Sequence, residues 1–359
     1  MQQNYLRVMS TTAALGALVA LAACGNDNST NPPASTSTYA VTDLVADAST
    51  TADASTVDEK LINAWGVAFG PTGFLWVANA ETGTSTVYDA AGAKQPLTVT
   101  IPSASSATGG APTGVLYNAT ADFTINGGAP AAFIFAGEDG TIAAWSSGMS
   151  SAVKVADRSS NDAVYKGLAV ASDGGTNHLY ATNFKGNAID VFDAGFAYVK
   201  SFTDPSIPAG YGPFGIQNID GDLYVSFAKQ LAPDNEDDEA GPGLGYIVIF
   251  HADGTVSKRF ASGGNLNAPW AIVRAPAGFG DVSGAILVGN FGDGKIGAYS
   301  ATSGEFMGFL KGENGDALVI DGLWGLTFGP ASSPSTLYFA SGPDDETHGL
   351  VGKINLISQ

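Results

Sequence analysis

The stretch NAWGVAFGP at residues 63–71 returns late in the chain. Trp65-Gly66-Val67-Ala68-Phe69-Gly70-Pro71 is echoed by Trp324-Gly325-Leu326-Thr327-Phe328-Gly329-Pro330. Aligning on the small residue inside the motif gives Gly66, Gly114, Gly167, Gly215, Ala271 and Gly325, spaced by 48, 53, 48, 56 and 54 residues. Self-similarity at such a period marks a repeat architecture, in which each unit buries its apolar face only against its neighbours.

Within the units the same short runs recur: GVAFG, LWVAN and STVYDAAG in the first, GLAVA, HLYATN and AIDVFDAG in the third, GIQNI, LYVSF and YIVIFHADG in the fourth. A fourth run follows in several units, as in YVKSFTD (198–204), VSKRFA (256–261) and FMGFLKG (306–312). Runs of Val, Ile, Phe, Tyr and Trp bounded by Gly, Asp, Asn or Pro read as strands and turns, and no stretch keeps a helical period. Four antiparallel strands repeated six times predict an all-β fold, a six-bladed β-propeller. A parallel β-helix suits the data less well, because its coils are usually shorter and need no fourth strand.

The last unit stops after its third strand in LVGKINLISQ, while YAVTDLVAD (39–47) precedes the first unit with nothing to pair to. An open ring would expose a strand edge. Residues 39–47 are therefore expected to supply the outer strand of the sixth blade, closing the ring with both termini.

Ahead of that strand, Val8 to Cys24 is uncharged and rich in Ala and Leu, follows Arg7, and ends in small residues, as a secretory signal does. A membrane span needs about 20 apolar residues, and Ser10, Thr11 and Thr12 interrupt this one. Its end, Leu21-Ala22-Ala23-Cys24-Gly25, resembles the bacterial lipobox, which implies cleavage before a lipidated Cys24. The Gly after that cysteine, by the same resemblance, favours the outer membrane. Cys24 is the sole cysteine, so no disulfide or cysteine-metal site is available. Residues 25–38, small and polar with two prolines, cannot bury apolar surface and read as a tether. The expected organisation is a signal peptide (1–23), lipidated Cys24 with its tether (24–38), and the propeller (39–359). With 15 basic and 34 acidic residues, a net charge of −19 and no basic cluster, the chain would repel nucleic acid and anionic lipid.

The unit pattern, Pro-x-Gly-apolar in PTGV and PFGI, then Leu-aromatic-Val-Ala-Asn, then apolar-x-aromatic-Asp-x-x-Gly, resembles NHL-type repeats. Over nearly all of residues 39–359 the chain is similar to an uncharacterised family of exported six-bladed propellers. Some relatives there carry a C-terminal sorting tail, where this chain ends in NLISQ.

In a four-stranded blade, the loop into the innermost strand and the loop joining the second and third strands open on one face around the axis. On that face aromatic residues dominate: Trp65, Tyr165, Phe214, Trp270 and Trp324. They suit a rim that stacks on a flat ligand, and equally blade-to-blade packing. Asn63, Asn79, Glu81, Asp139, Asn183, Asn290, Asp293 and Asp344, with Glu138, bring oxygens to the same side, where Ca²⁺ would take six to eight of them. Six-bladed propellers of the gluconolactonase type, which the pattern also resembles, hold such an ion with a Glu, two Asn and an Asp. The acid that resemblance requires at the start of the first blade is replaced by Ile62-Asn63-Ala64. Asp139-Gly140 and Asp293-Gly294 also serve as ordinary turns.

An insertion, LAPDNEDDEAGPG (231–243), holds Asp234, Glu236, Asp237, Asp238 and Glu239 without a base, and is expected to overhang that face. It lacks EF-hand spacing. Of three histidines, only His348 belongs there, too few for a zinc cage and without a nucleophile elbow for a triad. The expected function is a noncatalytic, lipid-anchored, monomeric scaffold binding a small ligand or an envelope protein. A Ca²⁺-dependent lactonase-like hydrolase and a structural envelope protein are the alternatives.

Overall fold

In the computed structural model, which describes residues 36–358, the strand-forming runs assemble into six sheets arranged as the blades of a propeller. Cys24, the signal peptide and the tether as far as residue 35 lie outside the described residues. The innermost strands are Ala64–Phe69, Pro112–Tyr117, Tyr165–Asp173, Tyr211–Ile219, Pro269–Arg274 and Leu323–Phe328. Each leads outward through three further antiparallel strands, as in the first blade with Leu75–Asn79, Thr84–Tyr88 and Lys94–Thr100.

The repeated small residue has a geometric cause. Every innermost strand shifts register against its neighbour around that position, for instance between Ala64 and Val67 and between Leu323 and Leu326. The kink leans its backbone onto the next blade. A Cβ on Gly66 would stand 2.5 Å from Thr113 O, one on Gly325 2.5 Å from Trp65 O, and one on Gly215 would collide with Trp270 O. Close approach of two backbones leaves room only for hydrogen. The axis is consequently narrow, with a cavity of about 50 Å³ bordered by Gly114, Gly167, Gly215 and Gly325.

Between blades lie the cores. Val77, Tyr88, Tyr338 and Val351 pack across the join of blades six and one, and Trp76, Val99, Phe133 and Phe135 across blades one and two. Each large side chain so buried contributes roughly 1.5–3 kcal/mol.

Ring closure follows the expectation, one residue earlier: Thr38–Ala46 pairs antiparallel with Leu350–Ser358 as the outer strand of blade six. The sequence did not announce a further two-residue strand, Thr56–Val57, which runs parallel to Val45 and Ala46 and covers part of that edge.

Candidate functional site

Trp65 and Trp324, equivalent residues of adjacent blades, stack at the axis with ring centroids 3.7 Å apart. Phe291 continues the stack 3.8 Å beyond Trp324. Trp270 and Phe214 meet Trp324 edge-on at 6.1 and 5.7 Å, and Phe184 packs on Phe214 at 5.0 Å. Four of the five rim aromatics are thus brought together, as packing: Trp65, Phe214 and Trp324 are at most 2% exposed. Tyr165 goes elsewhere. It is buried between blades two and three, where its hydroxyl donates to Asp190 Oδ2 at 2.7 Å. Burial and that carboxylate push the phenol well above its usual range. Phe184 and Phe291 escaped the sequence reading, although both follow the asparagine that ends a second strand, Asn183 and Asn290.

A polar layer covers these rings. Lys166 is 2% exposed; its Nζ pairs with Glu138 Oε1, lies 3.7 Å from the exposed Asp237, and sits 5.0 Å above the Trp65 ring. Burial works to lower the lysine pKa, but Glu138, Asp237 and Asp238 outweigh it and hold the ammonium above its ordinary value. Asp238 is pushed up to about 7, by burial first and then by Glu346 and Asp237, against the pull of Lys166. Glu346 is raised by burial, which outweighs its bond from Asn63 Nδ2 at 2.5 Å and the Lys166 charge. Asn63 joins the two layers, since its Oδ1 accepts from Trp324 Nε1 at 3.0 Å.

The acidic insertion crosses this end of the axis and finds its counter-charges on two strand ends and one loop. Glu236 pairs with Lys185 at 2.8 Å, Glu239 with Lys229 at 3.2 Å, and Asp237 with Lys166. Gly241 N donates to Asn267 Oδ1 at 2.6 Å, fixing the loop's return.

Several of the other side chains expected at a calcium site are engaged elsewhere. Asn79 Nδ2 donates to the Thr84 and Thr86 hydroxyls at 3.1 and 3.0 Å, while its Oδ1 is buried without a partner among the described residues. Asp139 accepts from Thr141 Oγ1 at 2.6 Å and from Ala104 N at 2.5 Å. Asn183 Oδ1 accepts from Val164 N and Gly186 N, and Asn290 Oδ1 from Asn267 N. Asp293 pairs with Lys295 at 3.2 Å, the Asp344 amide donates to Asp321, and Glu81 is exposed. Among the described residues no three His, Cys, Asp or Glu side chains are grouped to hold a metal. This donor set does not fit a calcium cage.

No protein family's profile matches the chain. Its fold is shared, with TM-scores of 0.52 and 0.50, by virginiamycin B lyase from Staphylococcus aureus (15% identical, covering 89% of this chain and 100% of that one) and by a luciferin-regenerating enzyme (13% identical, covering 82% and 92%). At those identities the likeness concerns fold alone. Two relatives in Acanthamoeba polyphaga mimivirus are closer in sequence. The uncharacterized protein R648 is 35% identical over 352 residues, 93% of this chain and 85% of that protein; the uncharacterized protein L690 is 34% identical over 311 residues, 83% and 81%. The chain belongs to one family with these two mimivirus proteins, and its fold is a six-bladed β-propeller.

Proposed function

We propose that the chain is a noncatalytic binding scaffold, a monomer exported and held at a bacterial cell envelope through lipidated Cys24, that captures a small ligand or an envelope protein. The observation that carries this reading is the filled axis. Hydrolysis needs an open cleft in which a base, a nucleophile or metal and an oxyanion donor surround the substrate. Here the stacked Trp65, Trp324 and Phe291 occupy the axis, Lys166 and its carboxylates cover them, and residues 231–243 close over the top.

The full-length chain should melt at the same temperature in EDTA and in millimolar Ca²⁺ and leave simple lactones intact. A Ca²⁺-induced rise of several degrees together with lactone hydrolysis would overturn the reading in favour of the metal-dependent enzyme. Expressed in a bacterium fed labelled palmitate, the chain should incorporate label and the Cys24→Ser variant should not; an unlabelled wild type would remove the anchor.

A further inference from the structure

On the opposite side from the filled axial mouth, the join of blades one and two holds a pocket of about 510 Å³. Its walls are aromatic and apolar: Trp76 stacks on Phe133 at 4.0 Å and meets Trp145 at 4.7 Å, with Tyr117, Phe74 and Leu97 around them. No charged side chain lines it, in a chain of net charge −19. Pockets of roughly 300–1,000 Å³ with such walls and a few polar atoms are the usual seats of small molecules.

The opening has a cause in the repeat. Trp76 pairs with Ala68 and Val87, just as Tyr180 pairs with Ala169 and Val191, and Tyr338 with Thr327 and Lys353. In those two blades the tyrosine hydroxyl crosses the join and donates to a turn carbonyl of the next blade: Tyr180 to Ala252 O at 2.7 Å, Tyr338 to Ala90 O at 3.0 Å. Blade one carries an indole instead. The facing turn of blade two is folded onto its own strand, with Trp145 Nε1 donating to Met149 O at 2.7 Å. Trp76 Nε1 and the Tyr117 hydroxyl have no hydrogen-bond partner among the described residues, and Trp76 Nε1 lies beside Gly70, another residue of the pocket wall.

We propose that this pocket binds a small, neutral, flat ring compound bearing a carbonyl oxygen, with Trp76 Nε1 donating to that oxygen and the partly exposed Phe74, Leu97 and Tyr117 packing against its ring. The ligand carbonyl takes the place that Ala252 O and Ala90 O hold for Tyr180 and Tyr338. The proposal rests on the binding reading above and adds its ligand class.

Coumarin, a flat neutral lactone, and naphthalene, a hydrocarbon of the same two-ring outline, serve as probes for the full-length chain, followed by tryptophan fluorescence. Coumarin should bind saturably and be recovered unchanged. Trp76→Phe keeps a ring but removes the donor, so it should weaken coumarin about five- to tenfold and change naphthalene less than twofold. Ser147→Trp, which fills the pocket from an exposed turn, should abolish both and carries the test if Trp76→Phe melts early. Absence of saturable binding to the wild type, or equal weakening of both probes by Trp76→Phe, would overturn the proposal. Coumarin bound as described but returned hydrolysed would leave the pocket standing and bring down the noncatalytic reading instead.

Discussion

His348 Nδ1 lies 2.8 Å from Asp47 Oδ2, so a loop of the last blade is fastened to the segment that begins the propeller. Asp47 also accepts from Thr51 Oγ1 at 2.7 Å and from Gly349 N at 3.2 Å. The bond to Asp47, then its charge, raises the His348 pKa; on Asp47, burial pushes upward but the bonds from His348, Thr51 and Gly349 prevail and lower it. A raised histidine contributes stability below its unfolded value of about 6.5 and loses it as pH rises through the folded value; a lowered aspartate contributes above about 3.9 and loses it toward acid. The pair therefore acts between those limits. His348→Gln should melt below the wild type at pH 5.5, by no more than about 1 kcal/mol for so exposed a pair, and match it at pH 8.5. An equal gap at both pH values would show that the charge is irrelevant.

Lys166 is the buried counter-charge for the axial carboxylates, and breaking such a pair on one side costs about 3–5 kcal/mol. Lys166→Met should therefore be strongly destabilised at pH 7.5. Without the ammonium, Asp238 and Glu346 hold protons more tightly in the folded state, so the deficit against the wild type should shrink as pH falls toward 5. Urea midpoints across that range give the answer, and a deficit independent of pH would assign the loss to packing.

Asp238, with its folded pKa pushed up to about 7, is a different case. Its ionisation opposes folding, a cost that begins above about 3.9 and is complete above the folded value. Asp238→Asn should raise the melting temperature at pH 8 and leave it unchanged near pH 4. A lower melting temperature at pH 8 would mean that the carboxylate makes a needed bond.

A methyl group at Gly325 would meet the backbone of Trp65 rather than a side chain able to turn aside. Gly325→Ala should cost about 1–3 kcal/mol, the range of overpacked cores. Ala271→Gly, at the one slot where the repeat already carries a methyl, should cost less. Comparable losses at both sites would refute the backbone-contact explanation.

The insertion is held over the axis by exposed pairs, Lys185 with Glu236 and Lys229 with Glu239, each screened by salt. Within the propeller, residues 39–359, limited proteolysis of the full-length chain should cut first at residues 231–243, faster in 0.5 M salt than in 0.05 M. First cuts elsewhere would contradict the account of how the loop is fixed.

The architecture was legible because its determinants are local and repeated: a small residue where backbones touch, alternating strands, and a missing strand at one end matched by a spare at the other. The site was legible only in part. That Trp65, Phe214, Trp270 and Trp324 share one face follows from the repeat, whereas their mutual burial depends on Phe184 and Phe291 from different loops. Tyr165 stands one residue ahead of that slot, which Lys166 fills before Gly167, so its side chain points to the opposite side of the strand and reaches Asp190. The insertion read as a run of acids without bases, since Lys166 and Lys185 are remote in sequence and meet it only in the folded ring, while Lys229 stands just ahead of it. The pocket beside Trp76 was invisible for a similar reason: it arises where an indole stands in a slot used for a tyrosine bridge, against a turn that folds back.

Thr38–Ala46 finds its long antiparallel partner in Leu350–Ser358, so among the propeller's strands the first to be synthesised waits for the last. Until Leu350–Ser358 is made, that strand lacks its long mate and the circle its seam. Because such distant pairing is slow to form, ring closure is tied to synthesis of Leu350–Ser358, and a chain cut before Leu350 would be left with an unjoined ring.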